Sequence, residues 1–491
     1  MRLKELLFGE GLECPSAYEN VDIPRIVTNS GDVTPSCMFI CHEGNDKKRR
    51  QYINEAIGKG AVVILASQVR DECVGGAAII KTDNTRRVAA RLYSKQCCIP
   101  GDKLKIIGVT GTNGKTSVCC ALECIAMAAG KKCAVIGTVG CRIDGRETEN
   151  YGGLTTPDSA ELYPLLARMC EAGVEYVFME VSSHALAQHR VDGITFECAA
   201  FTNLSRDHLD YHADMEDYFL CKARLFSISR KKIINIDGAY GKRLLSMYPD
   251  SVTCSVGGDG DFFAQNVRCD TEGTEYQLIY EGGRQHIRIG ALGDFSAENS
   301  LTAAAVAMEL GMTVDAVVEG LSHFCGARGR MERVDVSAPF CVIIDYAHTP
   351  DGLERALRST RDLRDATNAT GKVILVFGCG GDRDRGKRKD MGIIATRLAD
   401  EVIVTSDNPR GEHPEEIISQ IMRGTDKEKP CVAITSRRRA IEYAVEIADE
   451  GDVILLAGKG HEKYQILADG KHPFDETEIV KQAVSVRYGT R

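Results

Sequence analysis

Short apolar runs, each bounded by glycine, proline or charged residues, recur along this chain, and their period alternates between that of a strand and that of a helix. In the first hundred residues the pattern predicts strands at 38–41, 61–66 and 77–81 and helices near 50–58 and 85–97. Pro100-Gly101 reads as a linker. A buried strand at 104–109 then runs into a glycine-rich turn at 110–114 and a helix that opens near Lys115 and stops at Gly130, a C′ glycine. Further strands are predicted at 134–137, 176–181, 198–202 and 232–236. From about residue 331 a second series begins, with strands at 341–345, 372–377, 401–405, 432–435 and 452–457 and helical patterns between them. The expected fold class is α/β: mostly parallel sheet in the middle, then a doubly wound domain. No internal repeat or low-complexity segment interrupts it. A length of 491 residues suits about three domains, placed at 1–100, 101–332 and 333–491.

Composition narrows the class. With 43% hydrophobic and 27% charged residues the chain is an ordinary globular protein. A net charge of -9 argues against a nucleic-acid surface, although a local basic cleft for a small anion remains compatible with it. No apolar run approaches the roughly 20 residues of a membrane span, and the opening MRLKELLFGEGLE lacks a signal-peptide core. Twenty cysteines sit inside expected strands and helices without a C-x-x-C pair, which points to reduced, core-filling thiols and a cytoplasmic location.

The chemistry concentrates after the strand at 104–109. In TGTNGKTS, successive backbone N–H groups of Gly111, Thr112, Asn113 and Gly114 would cradle a polyphosphate, with Lys115 reaching its terminal phosphates and Thr116 offering a hydroxyl to Mg²⁺, followed by Ser117. The strict phosphate-loop pattern would need glycine at Val109, so this is a variant that binds ATP or GTP. Glu180 ends an apolar strand, where open α/β sheets bind ligands, and its natural task beside a phosphate loop is to hold Mg²⁺. In FTNLSRDHLDYH, His208 and His212 stand four apart and could share a helix face, yet no third ligand completes a zinc site; Asp207 and His208 suit a second metal ion or its waters. Lys222 reads in isolation as a surface lysine. Its ammonium cannot ligate Mg²⁺; a carbamate formed with CO₂ would. Gly378, Gly380 and Arg383 lack the third glycine of a dinucleotide fingerprint.

Taken in order, TGTNGKTS, TTPD, EVSSHAL, TNLSRDHLDYH, the Lys222 segment, GRME, DYAHTPDGL and SDNPRGEHP make the chain resemble the Mur ligase family of peptidoglycan synthesis along essentially its full length. The resemblance implies a UDP-substrate domain, a central ATPase and a C-terminal Rossmann-like domain. It implies ATP-dependent addition of meso-diaminopimelate to UDP-N-acetylmuramoyl-L-alanyl-D-glutamate through an acyl phosphate, by a monomer with no nucleic-acid or membrane partner. By the same resemblance Thr116 and Glu180 would hold one Mg²⁺, and His208 with a carbamylated Lys222 the other. Asn299, Arg330 and Asp345 would contact the nucleotide, and Ser30 the uridine. Thr155, Thr156, Ser182, Gln188 and Arg190 would position the muramoyl dipeptide. The family's usual Asp-Ser-Arg is here Asn29-Ser30-Gly31. Arg410 would meet the distal carboxylate of diaminopimelate, with Arg383, Asp407, Asn408, Pro409, Gly458 and Glu462 completing that pocket. A guanidinium fork matches a carboxylate, and lysine, lacking one, would leave the arginine unpaired.

Three rivals stand beside this reading. A folate polyglutamate synthase would lack the DNPR segment and a uridine domain. A lysine-adding ligase would prefer lysine in competition, and a phosphate-loop motor or GTPase would hydrolyse nucleotide without an acceptor.

Overall fold

The computed structural model describes residues 1–69, 73–74, 76–98, 103–148, 154–270, 272–366 and 370–489; the linker expected at Pro100-Gly101 lies outside them. Two compact units emerge. One comprises Met1–Thr110, Lys131–Ala199 and Leu220–Lys232, the other Gly111–Gly130, Ala200–Phe219 and Ile233–Arg491.

In the first unit, Ile26–Val27, Met38–Cys41, Val63–Ala66 and Ala77–Lys81 form a parallel sheet edged by antiparallel Cys73–Val74. The helix Thr85–Cys97 begins where Asn84 caps the Arg87 amide and ends as Cys98 turns left-handed. It buries Val88, Ala89, Leu92 and Tyr93 along one stripe. The same unit carries Tyr176–Glu180 in parallel between Lys105–Thr110 and Cys133–Gly137. These strands are apolar on both faces, as parallel strands covered on both sides must be.

In the second unit, the helix Lys115–Ala128 packs on Asp294–Glu309 and Val314–Ser322. Gly320 permits the close approach, since a Cβ there would lie 2.4 Å from the Ile125 Cα. Phe262–Asp270, Gly273–Tyr280 and Gly283–Ile289 form an antiparallel meander absent from the sequence expectation. Its strands alternate short apolar and polar positions between glycine turns, a weaker signal than the buried parallel runs. A six-stranded sheet follows, in the order Glu332–Arg333, Cys341–Asp345, Val453–Ala457, Val373–Phe377, Glu401–Thr405, Cys431–Ile434. All pairs are parallel except the first. Ile343, Leu375, Val404 and Leu455 enter one core, Val342, Ile344, Val376 and Leu456 the other, so the sheet is wound on both faces.

Each strand expected from the sequence is present with its ends within three residues, whereas Gly140–Ile143, Val252–Val256 and the meander strands lie outside that expectation. The chain is α/β, with parallel-rich sheets as expected. Among the described residues, nineteen cysteines carry thiols outside any disulfide. Among the described residues no helix is long and apolar enough to cross a membrane.

Candidate active site

The glycine-rich loop does what its composition demands. Gly111 and Gly114 take φ of 151° and 86°, a region costly for residues with a Cβ. Space forbids a side chain as well: a Cβ on Gly111 would sit 1.9 Å from Thr202 Oγ1, and one on Gly114 2.2 Å from Asn299 Oδ1. Asn299 is thereby brought against the loop. The segment after strand Phe196–Phe201 supports the other side. Thr112 N donates to Asn203 O at 2.9 Å, and Asn113 N to Asn203 Oδ1 at 3.0 Å. Thr202 Oγ1 donates to Asn113 O at 2.6 Å. Lys115 Nζ donates to Gly111 O and Thr112 O at 2.8 and 2.7 Å, curling over the loop. Thr116 is buried on the first helical turn, and that turn starts from Gly114 without a side-chain cap, an end whose dipole favours an anion. The Thr112 and Asn113 amides, expected to share in the cradle, are spent on Asn203 instead, because that segment packs against the loop.

His208 and His212 do not share a helix. The segment turns, with His208 at a left-handed φ of 56°. His212 is buried with its Nδ1 3.0 Å from Asp217 Oδ2, while the His208 ring packs edge-on to Tyr218. Zinc gains no third ligand, since among the described residues no three His, Cys, Asp or Glu side chains gather as a metal group. Mg²⁺ asks less: one or two protein oxygens beside phosphate and water suffice, which fits a hydroxyl and isolated carboxylates.

In the first unit, Glu180 lies at the carboxyl end of its strand and is 1% exposed. Thr138 N donates to Glu180 Oε1 at 2.8 Å and Thr138 Oγ1 to Oε2 at 3.1 Å. Gly137 makes room, because a Cβ there would fall 2.1 Å from Oε1. The dipeptide candidates gather around it. Thr155 Oγ1 is 3.1 Å from Thr138 Oγ1, Thr156 Oγ1 donates to Glu180 O at 2.8 Å, and Ser182 N donates to Thr156 Oγ1 at 3.1 Å. Arg190 donates to Thr156 O at 2.7 Å and to Gln188 Oε1, and pairs with Asp158 at 3.0 Å. Ser30 stands apart from this set, bonded to Glu55 at 2.9 Å and through its carbonyl to Lys59. Lys222 overturns the surface reading: it is 2% exposed on the helix Met215–Ser227. Sequence pattern missed this because a lone lysine in DYFLCKARLF carries no sign of which face is covered.

Back in the second unit, Asp345 accepts from Met331 N at 2.8 Å and Ala347 N at 2.7 Å. Burial pushes its carboxyl up, with the Arg330 guanidinium opposing. Arg330 stacks over Tyr346 at 4.8 Å, and His461 tilts onto the same ring. Burial, reinforced by Arg330 and Arg328, lowers His461 to about 4, leaving it neutral.

The amino-acid candidates cluster at the carboxyl ends of Val373–Phe377, Glu401–Thr405 and Val453–Ala457, where parallel sheets place ligands. Arg410, at a left-handed φ of 52°, donates Nη1 to Gly381 O at 2.9 Å and Asn408 O at 3.3 Å. Among the described residues no carboxylate pairs with it, and its Nε and Nη2 are unengaged. Gly380 clears its path, a Cβ there meeting Nη1 at 2.9 Å. Asp407 is buried, its Oδ1 taking Asn408 N at 2.6 Å, and Gly458 leaves room for Oδ2, which a Cβ would approach to 2.5 Å. Asn408 Nδ2 donates to Glu462 at 2.8 Å. Pro409 precedes Arg410 on the same loop, and Arg383 is exposed near Gly380. Sequence reasoning missed three participants: Lys459, Gln465 and Ile466. Lysine between two glycines after the apolar strand VILLA was a usable signal; the short hairpin Tyr464–Leu467 with Gly470–Pro473 was not.

Residues 109–307 match the Mur ligase middle domain and 329–460 the Mur ligase glutamate ligase domain. A UDP-N-acetylmuramoyl-L-alanyl-D-glutamate–2,6-diaminopimelate ligase 1 of Clostridium acetobutylicum is 39% identical over 487 residues, covering 99% of each chain. The corresponding ligase of Caldanaerobacter subterraneus subsp. tengcongensis is 40% identical over 488 residues, again 99% of both. A solved structure of such a ligase superposes with a TM-score of 0.73 at 30% identity, covering 100% of both chains. This chain therefore belongs to the Mur ligase family, among its UDP-N-acetylmuramoyl-L-alanyl-D-glutamate–2,6-diaminopimelate ligases.

Proposed function

We propose that this chain joins meso-diaminopimelate to UDP-N-acetylmuramoyl-L-alanyl-D-glutamate with ATP, acting in the cytoplasm as a monomer. One observation carries the choice of amino acid. Arg410 presents an unpaired guanidinium edge, and Asp407 and Glu462 present carboxylates in the same pocket. Such a pocket suits a carboxylate and an ammonium on one carbon, the distal end of diaminopimelate. Lysine offers only the ammonium, leaving the half-buried arginine without a carboxylate partner.

In the reaction, a γ-carboxylate oxygen of the D-glutamate attacks the γ-phosphorus and the bond to ADP breaks. The amine of diaminopimelate, having lost its proton to solvent, attacks the acyl carbon, and phosphate leaves with the bonding pair. The chain's work is positioning and charge neutralisation. Lys115 and the amides of residues 114–117 at the start of the helix would hold the polyphosphate, with Asn299, Arg330 and Asp345 on the nucleotide. Thr155, Thr156, Ser182, Gln188 and Arg190 would orient the dipeptide, and Ser30 the uridine. Thr116, Glu180, His208 and Lys222 as a carbamate would hold Mg²⁺, which supplies charge neutralisation on the phosphates. Residues 1–100, 101–332 and 333–491 are the corresponding proposed domains.

The test is product mass after incubation with the dipeptide nucleotide, ATP and an equimolar mixture of diaminopimelate and lysine. A diaminopimelate adduct with stoichiometric ADP is expected. A lysine adduct would reverse the assignment.

A further inference from the structure

Beneath the amino-acid pocket lies a cation that the reaction scheme leaves without a task. Lys459 follows Val453–Ala457 and Gly458, and is fully buried at 0% exposure. Burying an ammonium costs several kcal/mol unless polar partners replace its water. Its Nζ donates to Asn408 Oδ1 and to Glu462 Oε2, each at 3.1 Å. The rings of Tyr464 and Phe474 stand 5.9 and 5.8 Å away. Asn408 is locked by the same contacts. Its Oδ1 also accepts from Ile466 N at 2.9 Å, so its Nδ2 must face Glu462 Oε2, at 2.8 Å.

Glu462 Oε2 is thus held by two donors, while among the described residues Oε1 receives none. Asp407 is arranged likewise: Oδ1 takes the Asn408 amide, and among the described residues Oδ2 is unclaimed. Two carboxylates each anchored through one oxygen leave two oxygens for a ligand. An ammonium group is the partner they match.

We propose that Lys459 is the positioning residue of this ammonium site: it pins Glu462 through Oε2, keeps that carboxylate off Arg410, and presents Oε1 to the amino acid's distal ammonium. The inference rests on the diaminopimelate reading of the pocket. Its distinguishing consequence concerns one functional group. Without Lys459 the enzyme should lose the advantage of a substrate that carries the distal ammonium, and nothing else.

The experiment compares wild type with Lys459→Met on diaminopimelate and on 2-aminopimelate, which keeps the distal carboxylate but lacks that amine. Wild type should favour diaminopimelate, and the variant should lose at least tenfold of that preference through KM. Its kcat should stay within threefold, with KM for ATP and for the dipeptide nucleotide unchanged. A merely structural lysine would weaken both amino acids together or lower the melting temperature without altering their ratio, and either result overturns the inference. Lys459→Gln, which keeps a donor in place, is the second variant if Met prevents folding; the same loss of preference, smaller in size, is expected, and an unaltered ratio overturns the proposal. Failure of wild type to use diaminopimelate would instead sink the underlying pocket reading, whatever the variants do.

Discussion

Arg410 and Glu298 show how one side chain's surroundings set its chemistry. Arg410 spends one nitrogen on two backbone carbonyls and keeps its other edge for a ligand. Arg410→Met should therefore raise KM for diaminopimelate by about 10- to 100-fold, the size of one lost charge-assisted bond of roughly 1.5–3 kcal/mol. Competition between diaminopimelate and lysine checks it, since the preference should collapse mainly by loss on diaminopimelate. Glu298, on the helix Asp294–Glu309, is pushed up from 4.5 to about 7, mainly by burial and then by Asp237, with Arg355 opposing. Between those two values the unfolded chain releases a proton that the folded chain retains, so stability falls as pH rises and levels off above about 7. Glu298→Gln should remove that loss. Denaturant titrations should show wild type and variant alike near pH 4 and the variant more stable by on the order of 3 kcal/mol at pH 8.

Elements decide what a residue can reach, and the phosphate loop is the sharpest case. Strand, glycine turn and helix were legible from TGTNGKTS, because the glycines and the lysine bear on local backbone geometry alone. Besides its left-handed φ, a second obstacle to a side chain at Gly114 was not legible: Asn299, distant in sequence, whose Oδ1 fills the space a Cβ would need. Gly114→Ala should displace the loop by something near an ångström and cut kcat/KM for ATP by about 100-fold, with far less effect on the melting temperature than a core deletion. A variant with wild-type ATP kinetics would show the loop to be slack there. The turn after Phe196–Phe201 carries the opposite lesson. Four-residue spacing placed His208 and His212 on one helix face, but the backbone turns left-handed at His208 and sends His212 into the core beside Asp217. Periodicity cannot see a turn whose stability comes from tertiary contacts.

Across the whole molecule, coupling between sites is the property that separates a ligase from a nucleotide hydrolase. Phosphate release from ATP should be nearly silent with enzyme alone and should start only when dipeptide nucleotide and diaminopimelate are both present. Rapid hydrolysis without acceptor would favour a switch or motor. The sequence by itself determined the α/β alternation, the phosphate loop, Glu180 at a strand end and the order of motifs, because strand and helix periods and turn chemistry are local properties. Only the tertiary structure decided that Lys222 and Lys459 are buried, that Thr138 holds Glu180, and that Asn408, Glu462 and Ile466 form one network. Burial and side-chain partnership depend on which distant segments fold over a residue, and no window of neighbouring residues contains that information.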